Sequence, residues 1–188
     1  CFGSEQADDY IKGFPPHPHR GFETVTYMLD GHMLHEDHLG NKGHLKSGGV
    51  QWMTAGRGII HSEMPQQEHG LMRVFQLWLN LPAVEKLKPA AYADIRPDQI
   101  PQCQPVSGAS FNGKVAVKTA DKLQQLNEHH AGLLSQGDQV TLLASADVSL
   151  ILLAGKPIGE PIAQYGPFVM NTAAEIEQAI RDYQQGKL

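Results

Sequence analysis

Glycine and proline interrupt this chain so often that long helices are excluded over most of its length. The 188 residues include 19 glycines and 12 prolines, separated by short runs rich in β-branched and aromatic residues. Such runs, bounded by turn residues, are typical of short strands. The runs are FETVTYML (22–29), GVQWMTA (49–55), LMRVFQLWLNL (71–81), GKVAVKT (113–119), DQVTLLA (138–144) and VSLILLA (148–154). Their spacing predicts an all-β sandwich or barrel.

Two segments have helical rather than strand patterns. Near the C-terminus, Thr172 and Glu175 have the spacing of a capping box, apolar residues follow every three or four positions, and Gly186 supplies a stop. This pattern predicts a C-terminal helix. A shorter helix is predicted over 120–132, with Leu123 and Leu126 facing inward.

The proline distribution predicts where the chain divides into domains. Residues 82–112 contain five prolines and little periodicity, which suits an extended crossover. We therefore predict an N-terminal β domain at 1–81 and a second β domain at 113–188 that ends in the helix. Because the chain begins at Cys1 rather than methionine, we expect an upstream segment to be missing.

Composition excludes several classes of function. The net charge is −5 and no basic cluster is present, which argues against direct binding of nucleic acid. The longest apolar run, at 148–155, is far shorter than the roughly 20 residues that cross a bilayer. Two cysteines, Cys1 and Cys103, are too few for a disulfide framework, so we expect a reducing, cytoplasmic location.

The histidines point to chemistry in the N-terminal domain, which holds eight of the ten. His17 and His19 share one face if they lie on a strand, and His61 and Glu63 repeat this spacing after a glycine-rich turn. Three imidazoles and one carboxylate suit a divalent ion of iron, manganese, cobalt, nickel or zinc. Glu23 follows His19 with the same parity and is an alternative ligand. The remaining histidines are expected on loops, rims or a solvated helix: His32, His35, His38, His44, His69, His129 and His130.

Three segments together resemble the pirin family. They are FPPHPHRGFETVTYMLDG, LGNKGHLKSGGVQWMTAGRGIIHSEMP and GEPIAQYGPFVMNTAAEIEQAIRDYQQGKL, and they follow one another in the family's order. The resemblance implies a bicupin, two double-stranded β-helix (jelly-roll) barrels, with the second barrel free of metal and shortened between Lys118 and Gln139. It also implies one metal ion in the first barrel, with these ligands: His17, His19, His61 and Glu63. Glu23 and His38 then become residues that support the ligands.

The resemblance further implies an activity. Bacterial pirins are associated with quercetin 2,3-dioxygenase activity, so we expect Fe(II), with Zn, Mn, Co, Ni or Cu as alternatives, and a flavonol with O2 as substrates. Glu63 would help to take the flavonol proton, and the expected pocket wall is Val25, Tyr27, Trp52 and Met53. The alternatives are an iron-dependent, redox-sensing transcriptional co-regulator that binds a protein partner, and a purely structural metal site.

Overall fold

A computed structural model of the chain describes residues 2–101, 115–118, 123–127, 130–134, 140–144 and 150–188. The contacts divide the chain into two compact units, one of residues Cys1–Pro101 with Pro157–Leu188 and the other of Gln102–Lys156. This division differs from the sequence-based one, because the C-terminal segment packs with the first 101 residues rather than with the middle of the chain.

The first unit is built on two antiparallel sheets. The five-stranded sheet has the order β1 (Phe2–Ser4), β8 (Met72–Asn80), β3 (Phe22–Asp30), β6 (Val50–Thr54) and β9 (Ala91–Ile95). The four-stranded sheet has the order β2 (Phe14–His19), β7 (Ile59–Pro65), β4 (His32–Asp37) and β5 (Lys42–Lys46). The other described elements of this unit are α1 (Ala7–Tyr10), 3-10 turns at Ala83–Glu85 and Pro97–Gln99, a hairpin of β13 (Ala163–Tyr165) and β14 (Phe168–Met170), and α2 (Ala173–Gln184).

The two sheets pack face to face around an apolar core. Met28 and Met72 of the five-stranded sheet contact Met33 and Leu45 of the four-stranded sheet. The C-terminal helix adds a second cluster, because Ile176 and its neighbours pack against the β13–β14 hairpin. Neither helix among the described residues has the length and apolar character that crossing a bilayer requires.

A turn at Gly21 carries the chain from one sheet to the other and changes which side chains face inward. Gly21 has a φ of 88°, and a Cβ there would collide with the carbonyl oxygen of Val169. After this turn the buried residues of β3 are Phe22, Thr24, Thr26 and Met28. Val25 and Tyr27 have the same parity as His17 and His19 along the chain, but they lie on the outer face of β3, because the strand is not continuous through the glycine.

Several local predictions can be compared with the described elements. The strands over 22–29, 49–55 and 71–81 are confirmed as β3, β6 and β8, and two more as β10 (Val115–Lys118) and β12 (Thr141–Ala144). The C-terminal helix is confirmed with its capping box, in which Thr172 accepts a hydrogen bond from the Glu175 N–H.

Other local predictions are corrected. Residues 150–154 form no strand, and the helix over 120–132 is wrong, because Leu123–Leu126 form β11 beside β10. Part of the 82–112 crossover is strand β9, paired with β6. Residues 102–112 and His129 lie outside the described residues.

Candidate metal centre

Three histidines from two neighbouring strands meet on the inner face of the four-stranded sheet. His17 of β2 lies directly opposite His61 of β7 in the antiparallel register, and His19 is two residues further along β2. The ring centroids are 4.4 Å apart for His17 and His61, and 5.0 Å apart for His19 and His61. One nitrogen from each ring lies within 4.8 Å of the other two, so the three imidazoles could hold one metal ion.

The hydrogen bonds of these rings leave nitrogen lone pairs free for a metal. His17 Nδ1 lies 2.8 Å from the Pro15 carbonyl oxygen, so Nδ1–H donates and the lone pair is on Nε2. Among the described residues, both ring nitrogens of His19 and the Nε2 of His61 are buried without a hydrogen-bond partner. Such buried orphans are costly in a folded protein. A bound metal would satisfy Nε2 of His61 and one of the two nitrogens of His19, so the residues fit the group that the sequence implies.

Burial keeps two of the imidazoles neutral. Burial, together with the nearby His17, lowers the pKa of His19 to about 4. Burial and the surrounding histidines His17, His19 and His35 lower the pKa of His61 to about 2. Both rings are therefore uncharged at neutral pH, which is the form that binds a metal.

Glu63 lies on the same strand face as His61, two residues further along β7. Its side chain is 6% exposed, and burial raises its pKa to about 6, although a hydrogen bond from Gln76 opposes this shift. Gln76 Nε2 is 3.1 Å from each carboxylate oxygen. Glu63 borders the same cleft as His17 and His19 but does not belong to the close group of three histidines. Its carboxylate is therefore available to a molecule in the cleft.

His17 and His19 open onto a cleft of about 440 Å³ between the two sheets. Its lining combines the polar groups with apolar and aromatic side chains. They are Phe2, Phe14, His17, His19, Thr26, Met33, Glu63, Val74, Gln76, Trp78 and Pro167. A cleft of this size and character is typical of small-molecule sites.

The structure corrects the expected pocket wall, because none of its four residues lines this cleft. Val25 and Tyr27 lie on the other face of β3. Trp52 is 41% exposed, and its Nε1–H donates to Glu23 at 3.0 Å. Met53 is buried in a separate cluster with Ile59. The aromatic wall of the cleft is instead Trp78, which packs edge-on to His19 with centroids 5.4 Å apart.

The two residues expected to support the ligands have other partners. Glu23 accepts hydrogen bonds from Thr54 Oγ1, at 2.7 Å, and from Trp52. His38 accepts a hydrogen bond from the Ile60 N–H at 3.0 Å and borders a different cleft. Neither of them contacts the three histidines through a hydrogen bond in the described part of the chain.

A histidine that the sequence had placed on a loop or rim, His35, does contact the cluster. His35 is 2% exposed, and its Nδ1 is 3.3 Å from the Nδ1 of His61. Asp37 follows on the same face of β4 and lies 3.4 Å from the other nitrogen of His35. The alternation of Met33, His35 and Asp37 could have indicated a strand, but the polar composition of β4 concealed it.

Comparison with known proteins identifies the family. Residues 2–79 match the family model described as Pirin, and residues 98–188 match the Pirin C-terminal cupin domain. A Pseudomonas aeruginosa protein named "putative quercetin 2,3-dioxygenase" is 43% identical over an alignment that includes all of this chain and 84% of the relative. The chain belongs to the pirin family. A Vibrio cholerae protein with the same name is 41% identical to this pirin, over 95% of this chain and 80% of the relative.

A solved structure shares the fold of this pirin. The crystal structure of a quercetin 2,3-dioxygenase from Acinetobacter baumannii superposes on this pirin with a TM-score of 0.82 at 34% identity. The superposition covers 93% of this chain and 78% of the Acinetobacter chain. The alignment with the Pseudomonas protein spans 239 positions, more than the 188 residues of this pirin. That relative therefore has residues with no counterpart here.

Proposed function

We propose that this pirin is a metal-dependent dioxygenase that oxidises a flavonol, with one Fe(II) ion held by His17, His19, His61 and Glu63. The observation that carries the proposal is the cluster of three histidines beside an aromatic-lined cleft. Within the described part of the chain, both ring nitrogens of His19 and Nε2 of His61 are buried without a hydrogen-bond partner. The similarity to proteins named quercetin 2,3-dioxygenase supports the same reaction. We also propose a bicupin with domains at 1–81 and 113–188, in which residues 157–188 of the second domain pack with the first. The two family matches at 2–79 and 98–188 support this proposal.

A bound divalent ion would supply the Lewis-acid and dioxygen chemistry that the side chains lack. The side chains of this chain would bind and orient the substrate. Trp78 and Phe14 would flank the flat rings of a flavonol, while Val74 and Met33 would exclude water from the inner part of the cleft.

Glu63 would take the proton of the flavonol hydroxyl on a carboxylate oxygen. In the metal-free protein burial raises the pKa of Glu63 to about 6, so the group is mostly ionised at pH 7 and is in the form that can bind a metal or accept a proton. Gln76 donates to both carboxylate oxygens and would hold the group in place, while Trp78 Nε1–H donates to Gln76 Oε1 at 3.2 Å. This chain of contacts links the proton acceptor to the aromatic wall.

The test follows flavonol absorbance and oxygen uptake after Fe(II) is added to metal-free protein. We expect turnover in the native protein and in His69→Ala, a matched control at an exposed histidine. His61→Ala should be inactive although folded. Glu63→Gln keeps an amide oxygen at the ligand position, so with the metal bound it should lower kcat by about 10²–10⁴-fold through loss of the proton acceptor.

Undiminished turnover in folded His61→Ala would refute the metal centre as the site of reaction. Metal binding without turnover on any flavonol, together with capture of a protein partner that differs between the Fe(II) and Fe(III) forms, would favour a redox-sensing regulator instead.

A further inference from the structure

A line of three polar side chains runs from the histidine cluster across β7 and β4. His61 Nδ1 lies 3.3 Å from His35 Nδ1, and His35 Nε2 lies 3.4 Å from Asp37 Oδ2. All three side chains are shielded from water: His61 and His35 are each 2% exposed, and the Asp37 side chain is 0% exposed. Neither His35 nor Asp37 belongs to the proposed ligands or lines the cleft.

The chemistry of these atoms fixes the direction of each hydrogen bond. A carboxylate only accepts, so the proton between Asp37 and His35 is on His35 Nε2. A neutral imidazole carries one N–H, which leaves His35 Nδ1 as an acceptor. The proton between the two rings is then on His61 Nδ1, and the lone pair of His61 is on Nε2. That Nε2 is buried and has no hydrogen-bond partner within the described part of the chain.

We propose that His35 and Asp37 are positioning residues that hold His61 in the tautomer able to bind the metal through Nε2. The inference rests on His61 being a ligand, as in the proposed function. Ligating histidines usually donate their second N–H to a carboxylate or carbonyl, which fixes the ring and increases its basicity as a ligand. In this chain a second histidine transmits that effect from the carboxylate of Asp37.

Hydrogen bonds fix the carboxylate of Asp37 so that only Oδ2 accepts from His35. The path from Asp37 through His35 to His61 is called the relay below. Its Oδ1 accepts the backbone N–H groups of Leu39, at 2.9 Å, and Asn41, at 3.0 Å. Its Oδ2 accepts from the Asn41 side-chain amide at 2.8 Å as well as from His35. The backbone donors therefore fix which carboxylate oxygen faces His35.

The ring of His35 is also held from the side. Tyr92 stacks on it with centroids 4.4 Å apart and an interplanar angle of 20°. The Tyr92 hydroxyl donates to Asp94 at 2.7 Å and accepts from Gln51 at 2.8 Å, which fixes the stacking ring. Gly43 lies opposite His35 in the β4–β5 pair, and a Cβ at this position would collide with the Tyr92 hydroxyl and the Asp94 carboxylate.

The direct test is the tautomer of each ring in the zinc-loaded protein. Long-range ¹H–¹⁵N NMR of ¹⁵N-histidine-labelled protein distinguishes protonated, unprotonated and metal-bound nitrogens, with assignments from His61→Asn and His35→Asn. We expect His61 to carry its proton on Nδ1 with Nε2 bound to zinc, and His35 to carry its proton on Nε2. A His61 ring bound to zinc through Nδ1, or protonated on Nε2, would overturn the relay.

Three substitutions test the same relay through zinc affinity, measured by competition with a chelator. His35→Phe keeps the stacking ring but removes the acceptor, and should weaken zinc binding by about 10–100-fold. His35→Asn places Oδ1 where Nδ1 was and should retain most of the affinity. In Asp37→Asn the backbone donors hold the amide oxygen, so the amide nitrogen points at His35, reverses its tautomer and should weaken zinc binding.

The control is His32→Asn, on the same strand, where the side chain contacts His44 near the surface rather than the cluster. It should bind zinc as the native protein does. Native affinity in both His35→Phe and Asp37→Asn would refute the relay while leaving the metal site intact. A zinc site with the expected tautomers but no flavonol turnover would refute the dioxygenase and support the relay, so the two proposals can fail separately.

Discussion

The metal-free protein should lose stability as the pH falls below 6.5, because His19 and His61 are buried in the neutral form. Burial, with the neighbouring histidines, lowers the pKa of His19 from 6.5 to about 4 and that of His61 from 6.5 to about 2. In the unfolded chain both groups return to their ordinary pKa. At a pH between the folded-state pKa and 6.5, each ring binds a proton in the unfolded chain but not in the folded protein, so acid favours unfolding.

The size of the effect follows from these pKa values. Each pH unit below 6.5 is worth about 1.4 kcal/mol per histidine, so each ring costs about 2 kcal/mol at pH 5 relative to pH 7.5. Glu63 opposes this loss. Burial raises its pKa from 4.5 to about 6, so at pH 5 the folded protein keeps a proton that the unfolded chain releases. That proton contributes about 1 kcal/mol, which leaves a net loss of about 3 kcal/mol from the three groups.

Urea unfolding of the metal-free protein at pH 7.5, 6.0 and 5.0 measures this loss. His19→Asn removes one titrating ring and should reduce the pH dependence by about 1.4 kcal/mol per pH unit, whereas the exposed His69→Asn should leave it unchanged. Zinc should preserve stability to lower pH, because it binds the neutral rings. Stability that does not change between pH 7.5 and 5.0 in the metal-free protein would refute the reasoning.

Three further substitutions test how the fold supports the site. Lys86→Met should lower the free energy of unfolding by about 2–4 kcal/mol in urea, because Gly21 O, Asn80 Oδ1 and Val169 O lose the Nζ donor of this 1% exposed lysine. A loss below about 1 kcal/mol would show that these hydrogen bonds contribute little to stability. Gly21→Ala should weaken zinc binding and lower the melting temperature, because the φ of 88° and the Val169 carbonyl leave no room for a Cβ. An unchanged zinc affinity and melting temperature would show that the turn does not need glycine. Trp78→Ala should raise KM for a flavonol by about 2–10-fold with kcat retained, as expected for a lost aromatic contact. An unchanged KM would show that the substrate does not stack on Trp78.

The candidate site was only partly predictable because its members differ in how locally they are specified. His17 and His19, and likewise His61 and Glu63, are two residues apart, so strand alternation alone puts each pair on one face. His35 could not be recognised in this way, because its contact with His61 depends on the pairing of β4 with β7. The role of Gln76 depends equally on its approach to Glu63 from the other sheet.

Local sequence patterns were sufficient to predict strands β3, β6 and β8, the C-terminal helix with its cap, and the two histidine-containing pairs. These features depend on interactions within a few residues, such as side-chain alternation and the hydrogen bonds between Thr172 and Glu175. The side chains of β3 that face the cleft depend on tertiary structure, because the turn at Gly21 reverses the face that β3 presents to the other sheet. Tertiary structure also buries Lys86 between the carbonyl groups of Gly21 and Val169, which are far apart in the chain and meet only when the C-terminal segment packs onto the N-terminal sheets.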